Sequence, residues 1–589
     1  MPRNLDLGAP ADPPPRAAAG RDAAAPAPIP AVAPLGAVIA MVAIYLLPGL
    51  IGHDPWKQDE TYIVAIVHHM LASGDWLVPT MAGEAFMEKP PLYYWIAALC
   101  GGALSAYLPV HDGARLATGL FMFCTCGAVA WLGRRWWGRG QGALAVLCLL
   151  ACLGMLQHAH VILTDIALLA GFAVALCGVA LARARPLPGG LILGTGMGMG
   201  FMAKGLFAPG VLGFTLLALT VCFRDWRRRN FLYAIGVAAV AALPWLLIWP
   251  ALLYARSPTL FWDWLWLNNI GRFAGFSVPL LGAAHSKFFW LRTIPWFTFP
   301  ALPLAALTLW QRRRSALSEE PCQVALMLSG AMVAVLWSAA SARDNYALPL
   351  LPPLALLAAP ASVRLPALVE LCWRRVSLLL LGGCAALIGG VGAWMAWRGA
   401  APDLPVLSRY LPASFVPQPR AAMLGLAAVL ALATLVLARR RYWPAQRALW
   451  EWVAGLALCW ALLASLCLPW LDHAKSYRGV FAGLGAVMPA RHGCIASLEV
   501  GESERAMLEY FLDVRTVALA SPLGRGCQLL LAEGGAAPHF APIAPSDWCL
   551  AWRGARPGDR RESLWFFMRR QGTSGAADAP GAPYRACPG

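Results

Sequence analysis

Arginines recur along this sequence in short clusters, with uncharged apolar runs between them. Arg134, Arg135 and Arg139 form one cluster, and Arg183 with Arg185 another. Further clusters are Arg224 with Arg227 to Arg229, Arg312 to Arg314, Arg374 with Arg375, and Arg439 to Arg441. The apolar runs are about 17–25 residues long, the length an α-helix needs to cross a bilayer. Arginine-rich loops between such helices stay on the cytoplasmic side and fix orientation. The chain therefore reads as an all-α polytopic membrane protein, in keeping with 59% hydrophobic and only 13% charged residues. The net charge of +17 does not indicate nucleic acid, because the basic residues are divided among separate loops instead of forming one continuous face.

Counting helices by parity gives the layout. Residues 1–30 are rich in Ala and Pro and read as a disordered cytoplasmic tail. The first apolar run, "AVAPLGAVIAMVAIYLLPGLIG", is longer than a signal-peptide core and lacks a cleavage site, so it is expected to remain as a helix. With every arginine loop inside, "LYYWIAALCGGALSAYL" at 92–108 must not cross. It is short, opens on aromatics and contains Gly101-Gly102, which predicts a helix lying on or dipping into the outer leaflet. Ile63, Ile66, Val67, Met70 and Leu71 form a helical stripe that "SGD" ends. Residues 52–112 thus make one large outer loop with two surface helices, inside a 31–469 unit of about thirteen membrane helices.

The remainder, 470–589, falls outside. "CIASLEV", "TVALAS" and "CQLLLAE" read as strands and "ESERAMLEYFL" as a helix, giving a small α/β domain. Its Cys494, Cys527, Cys549 and Cys587 permit two disulfides in three possible pairings. The other cysteines are scattered through apolar segments as small buried hydrophobes.

Parity also gathers polar residues on the outer face. Asp59, Glu60, Glu88 and Lys89 lie in the first loop, followed by Asp165, Lys204, Asn268, Asn269, Arg272, His285 and Lys287, then Arg343, Asp344 and Tyr346. Only five lysines occur (Lys57, Lys89, Lys204, Lys287 and Lys475), so arginine sets orientation while a few lysines supply compact point charges. Carboxylates and ammonium groups together fit transfer from a phosphate-linked donor: the ammonium stabilises charge on a departing phosphate, and the carboxylate orients or deprotonates the attacking group. Each residue also has a plainer role. Asp59 and Glu60 suit the first turn of a surface helix, Glu88-Lys89 an interfacial ion pair, Lys204 a snorkelling side chain, and His285 and Tyr346 structural positions. A transporter would place its polar residues near the midplane on broken, repeated helices, and a scaffold would leave the outer cluster without purpose. "GTGMGMGF" sits inside an apolar run and suits close helix packing better than nucleotide binding.

"DET…SGDWLVPTMAGEAFMEKPPLYYW", followed in order by Thr164-Asp165, Lys204-Gly205, "NNIGRF", "HSKFFW…PWF" and "YALPLLPP", resembles the GT-C-type membrane glycosyltransferases. The nearest set is the protein O-mannosyltransferase-like group that includes the lipid A aminoarabinose transferases. The resemblance implies a bacterial inner-membrane enzyme that moves a sugar from undecaprenyl phosphate to lipid A, lipopolysaccharide, another glycan or a protein at the periplasmic face. It implies Asp59 as the leading carboxylate, Asp165 as a second, Lys89 and Lys204 as phosphate contacts, and Tyr346 as a donor-phosphate contact. Glu60, Glu88, Asn269, Arg272 and His285 join the substrate-binding set. Glu88 and His285 match positions able to hold a divalent metal ion, although a catalytic metal is not implied. One departure stands out: the aminoarabinose enzymes continue the first motif as Asp-Glu-x-Arg-Tyr, whereas this chain reads Asp59-Glu60-Thr61-Tyr62-Ile63.

Overall fold

A computed structural model of the chain describes residues 35–281, 288–403, 405, 407, 410–418, 421–439, 446–535, 540, 543, 547–559, 561–570, 584, 586 and 587. The N-terminal tail, His285 and Lys287 lie outside the described residues. Among the described residues six helices are long and apolar enough to cross a membrane: Val110–Trp137, Thr164–Ala182, Arg229–Arg256, Glu320–Ser338, Ala367–Arg398 and Arg447–Lys475. Phe289–Phe297 and Ala301–Gln311, bent by 82°, make a seventh when taken as one span. Shorter apolar helices such as Leu35–Leu46, Gln141–Ala151 and Phe207–Cys222 pack among them. The protein is a multi-pass membrane protein. Arg134 and Arg135 close the Val110–Trp137 helix and Arg229 opens the Arg229–Arg256 helix, so basic residues mark helix ends as the sequence pattern requires.

The outer loop holds the two expected helices. Asp59–Ser73 buries Ile63, Ile66, Val67 and Met70, and Gly74 ends it at φ 72° while donating its N–H to the Met70 carbonyl. Leu92–Ala103 has 12 residues and is about 18 Å long, well short of the roughly 30 Å of hydrocarbon. Gly101 lets it cross Val110–Trp137 closely: a Cβ on the facing Gly113 would lie 2.8 Å from the Gly101 Cα. Tyr93 and Tyr94 are buried in the core, not set at a lipid surface, and the Tyr93 hydroxyl bonds Thr118 Oγ1 at 2.6 Å. Between these helices β1 (Thr80–Met81) and β2 (Glu84–Ala85) form a two-residue hairpin.

Glycines set the packing behind the site. The Pro186–Lys204 helix runs so close to Thr164–Ala182 that a Cβ on Gly196 would fall 2.3 Å from the Ala175 nitrogen. Gly194 meets the Arg229–Arg256 helix in the same way, with the Ala238 carbonyl 2.4 Å from its missing Cβ. The glycine-rich run is thus a packing seam that brings Asp165, at the start of one helix, against Lys204, at the end of the next.

The C-terminal unit contains a five-stranded sheet: β3 (Ile495–Leu498), β4 (Thr516–Ala518), β5 (Leu529–Gly534), β6 (Trp548–Gly554) and β7 (Ser563–Arg569), in the order β4-β3-β5-β7-β6. β3 pairs in parallel with β4 and β5, while β7 runs antiparallel to β5 and β6. The Glu502–Leu512 helix crosses over between β3 and β4. Cys494 pairs with Cys527, and Cys549 with Cys587, which selects one of the three possible connectivities. This unit packs on the outer loop: Arg478 bonds Asp54, Glu509 Oε2 accepts the Ala82 N–H at 2.7 Å, and Tyr510 meets His111 at 2.8 Å.

A buried ion cluster joins the outer loop to the membrane helices. Arg115 has no solvent contact; its Nε donates to Glu60 Oε1 at 3.0 Å and its Nη1 to Asp112 Oδ1 at 2.8 Å. Glu60 also accepts the N–H groups of Trp56 and Ile162, and Asp112 accepts that of Gly52. Burial pushes the Glu60 carboxyl up, but Arg115 and the backbone donors more than offset this and hold it below its usual range.

Two outcomes follow. Gly196→Val forces apart two helices that now touch through backbone and should cost at least about 1–3 kcal/mol, read as a lower melting temperature of the detergent-solubilised protein. Arg115→Met leaves Glu60 buried without its cation and should cost roughly 3–5 kcal/mol near neutral pH. The wild-type pair contributes fully above the ordinary carboxylate pKa and loses that contribution as pH falls through the depressed value. Arg115→Met should therefore flatten the acid side of the melting-temperature profile, because Glu60 is then protonated in the native protein.

Candidate active site

Asp59 begins the Asp59–Ser73 helix, directly beside Glu60, whose oxygens are taken by Arg115, Trp56 and Ile162. Glu60 therefore anchors the helix, and its neighbour is left facing the interior with different company. Arg343 Nη1 stands 3.4 Å and Lys89 Nζ 3.8 Å from Asp59 Oδ1. Lys89 follows the hairpin and precedes the Pro90-Pro91 turn, which aims it inward at the head of the Leu92–Ala103 helix. Its side chain is 13% exposed. Burial alone would lower its pKa, but the Asp59 and Asp165 carboxylates raise it above the usual lysine value, so Lys89 is an ammonium at any physiological pH.

Behind this pair lies a second one. Asp165 is fully buried and accepts from Lys204 Nζ and from Asn345 Nδ2, the latter at 3.1 Å. Lys204 Nζ also sits 3.5 Å from the centroid of the Tyr346 ring. Burial raises the Tyr346 hydroxyl above its ordinary value, keeping it a neutral donor. The site thus alternates charge: Arg343, Asp59, Lys89, and then Asp165 with Lys204. Such an arrangement lets each buried charge face an opposite one.

Two cavities flank this line. One, about 490 Å³, has a polar end formed by Glu88, Lys89, Lys204, Arg272 and Tyr346, and walls of Phe207, Val211, Phe214, Phe273, Val335 and Leu336. The other, about 330 Å³, is polar and is lined by residues including Gln58, Asp59, Gln157, Arg343, Asn345 and Lys475. Asp59 lines the polar cavity and Lys89 the apolar one, so their ion pair stands where the two approach.

Other residues named from the sequence take supporting places. Glu88 accepts from Arg272 Nη2 at 2.5 Å across the polar end of the apolar cavity. Asn269 donates to the Trp264 carbonyl and accepts the Leu206 N–H, filling the space above Gly205, whose φ of +66° and contact with Asn269 exclude a side chain. The pairing of Glu88 with His285 as metal ligands falls outside the described residues, because His285 does. Arg115 and Asn345 carried no local signal, because their partners lie far along the chain. Arg343 did, as a charged residue on the outer face next to Tyr346. The first turn of the Asp59–Ser73 helix has Tyr62 and no arginine, and the guanidinium that stands at Asp59 belongs to Arg343.

With this geometry in view, three comparisons bear on the chain. Residues 88–249 match the family model described as dolichyl-phosphate-mannose-protein mannosyltransferase. The undecaprenyl phosphate-alpha-4-amino-4-deoxy-L-arabinose arabinosyl transferase 2 of Sodalis glossinidius is 29% identical over 47% of this chain and 51% of its own length. The chain thus spans about half the length of that curated relative. The Pseudomonas aeruginosa (strain LESB58) arabinosyl transferase of the same description is 30% identical over 74% of this chain and 75% of its own. The crystal structure of ArnT from Cupriavidus metallidurans bound to undecaprenyl phosphate superposes with a TM-score of 0.63 over 90% of this chain and 96% of that one. At 20% sequence identity that likeness is one of fold, the GT-C arrangement. The chain belongs to the undecaprenyl phosphate-alpha-4-amino-4-deoxy-L-arabinose arabinosyl transferase family.

Proposed function

We propose that the protein is an inner-membrane glycosyltransferase that moves a sugar from undecaprenyl phosphate to lipid A or lipopolysaccharide at the periplasmic face, with 4-amino-4-deoxy-L-arabinose as the sugar. The observation that carries this reading is the apolar cavity ending on Lys89, Lys204, Arg272 and Tyr346, with Asp59 at the near side of the polar cavity. A prenyl chain suits the phenylalanine and valine walls, and its phosphate suits the cationic end. The printed names of the relatives support the same donor and sugar.

In the reaction the bond between the sugar C1 and the carrier phosphate oxygen breaks, and its electron pair leaves with undecaprenyl phosphate. The acceptor oxygen forms the new bond to C1. Lys89 neutralises charge gathering on the leaving phosphate, and the Tyr346 hydroxyl donates to it. Lys204 is paired with Asp165 and lies against the Tyr346 ring, which it fixes at the cationic end of the cavity. Asp59 orients the acceptor. If the acceptor is a phosphate monoester, it is already largely ionised at neutral pH, with a second pKa near about 6, and Asp59 has no proton to take. A hydroxyl acceptor would give its proton to Asp59.

A second reading keeps the chemistry and changes the acceptor to another glycan or a protein. The family model matched over residues 88–249 is described for protein mannosylation, and the Tyr62 departure falls within the motif of the aminoarabinose enzymes.

Lipid A mass spectra from cells with the gene, without it, and with Asp59→Asn or Lys89→Ala test the proposal. A sugar-sized mass present only with the wild-type gene is the expected result, with each variant reducing transfer by about 100-fold or more. An unchanged spectrum on deletion removes the lipid A acceptor. Gly210 lines the apolar cavity, and a Cβ there would meet nothing within 4 Å. Gly210→Phe should raise the donor KM about tenfold with kcat nearly unchanged, since the ring fills space meant for the carrier chain and touches no reacting group.

A further inference from the structure

Lys57 lies two residues ahead of Asp59, yet its ammonium is held by the far end of the chain. Nζ is 3.1 Å from Glu504 Oε1 and 2.9 Å from both oxygens of Glu562. Glu504 belongs to the Glu502–Leu512 helix, and Glu562 immediately precedes β7. Glu533 is the third carboxylate of this group, whose oxygens fall within 4.8 Å of one another. Tyr477 donates to Glu504 Oε1 at 2.5 Å, and Arg556 reaches Glu562 at 3.1 Å. Three carboxylates so close repel, and Glu504 is only 2% exposed, so water does not screen it. The Lys57 ammonium bridges Glu504 and Glu562, with Arg556 a second cation on Glu562, which gives its position a strong electrostatic reason.

From Lys57 the contacts lead to the reacting carboxylate. The Gln58 side-chain oxygen accepts from Arg343 Nη2 at 2.9 Å, while Arg343 Nη1 reaches Asp59 Oδ1 at 3.4 Å. One guanidinium therefore spans Gln58 and Asp59. The Gln58 carbonyl accepts Thr61 Oγ1 at 2.7 Å, and Thr61 Oγ1 lies 3.0 Å from Ser503 Oγ, next to Glu504. The first turn of the helix is thus gripped at Lys57 and Thr61 by the same segment of the C-terminal unit.

Attachment of that unit does not require Lys57. Arg478 with Asp54, Glu509 with Ala82 and Tyr510 with His111 already join it to the outer loop. The Lys57 contact differs from these in where it acts, since it fixes residues 57–61 next to Asp59. We propose that Lys57 is a positioning residue through which Glu504 and Glu562 of the C-terminal unit set Gln58, Arg343 and Asp59 in their working arrangement. The inference rests on the sugar-transfer reading of Asp59.

The test uses the full-length purified protein with an undecaprenyl-phosphate-linked aminoarabinose donor and lipid A. Lys57→Met should lower kcat at least about tenfold while the donor KM stays within about twofold, and Lys57→Arg should recover most of the rate. Combined with Arg343→Lys, Lys57→Met should cost less than it does alone, because both act on one geometry. Amide exchange should quicken about tenfold or more in residues 58–62 of Lys57→Met and stay unchanged in β5, which separates loss of positioning from loss of the fold. A kcat within twofold of wild type, or unaltered exchange in that turn, overturns the proposal. Should the wild-type protein transfer no sugar from this donor, the sugar-transfer reading fails, and the exchange result alone decides whether the C-terminal acids hold the turn.

Discussion

Arg115 sits in a membrane helix without solvent contact, so its charge has to be met by carboxylates rather than water. Glu60 and Asp112 meet it, and in doing so they also take the backbone N–H groups of Trp56, Ile162 and Gly52. Those three amides come from both ends of the outer loop's first stretch and from the turn before Asp165. One buried guanidinium thus fixes the distance between the Asp59 turn and the Asp165 turn. The alternation of Arg343, Asp59, Lys89, Asp165 and Lys204 depends on that spacing.

The second constraint is the low dielectric around the site. Ammonium and carboxylate groups placed beside an apolar cavity interact more strongly than they would in water, and they keep their ionised forms only while paired. Lys89 satisfies this by facing two carboxylates. Its partner Asp59 is shared with Arg343, so the carboxylate has two cations and its position is set from both sides. An apolar cavity on one side and a polar one on the other let two unlike molecules approach the same pair of charges.

Much of this was legible in the residues themselves. The arginine clusters mark helix ends, the stripe residues Ile63, Ile66, Val67 and Met70 are buried in the Asp59–Ser73 helix while Leu71, the last expected member, is 37% exposed, and the glycine run proved to be a packing seam. Three of the C-terminal strands follow apolar runs, whereas β6 and β7 flank "ARPGDRRE", where turn residues and charge dominate the local pattern. Tyr93 and Tyr94 read as interfacial because aromatics favour that position, but the glycine contact at Gly101 and Gly113 draws their helix into the core. Asp59, Lys89, Asp165, Lys204 and Tyr346 come together as their motifs suggest. Glu60 lines the polar cavity beside Asp59, and only the position of Arg115, 55 residues away, reveals that it is also an anchor. Pairings over such separations leave no periodic trace in a single sequence.

The contacts of Lys57 also carry a consequence for how the protein is made. Its partners follow it by 447 and 505 residues, so they leave the ribosome long after it does. Chains fold from the N-terminus as they are synthesised, and among the described residues every helix able to cross a membrane precedes the sheet that carries these acids. The turn bearing Asp59 is therefore inserted long before the groups that hold it exist. On the positioning reading, a half-made copy already embedded in the bilayer could not draw on the cell's lipid-linked sugar. Synthesis of that sheet would itself be the event that licenses it to work.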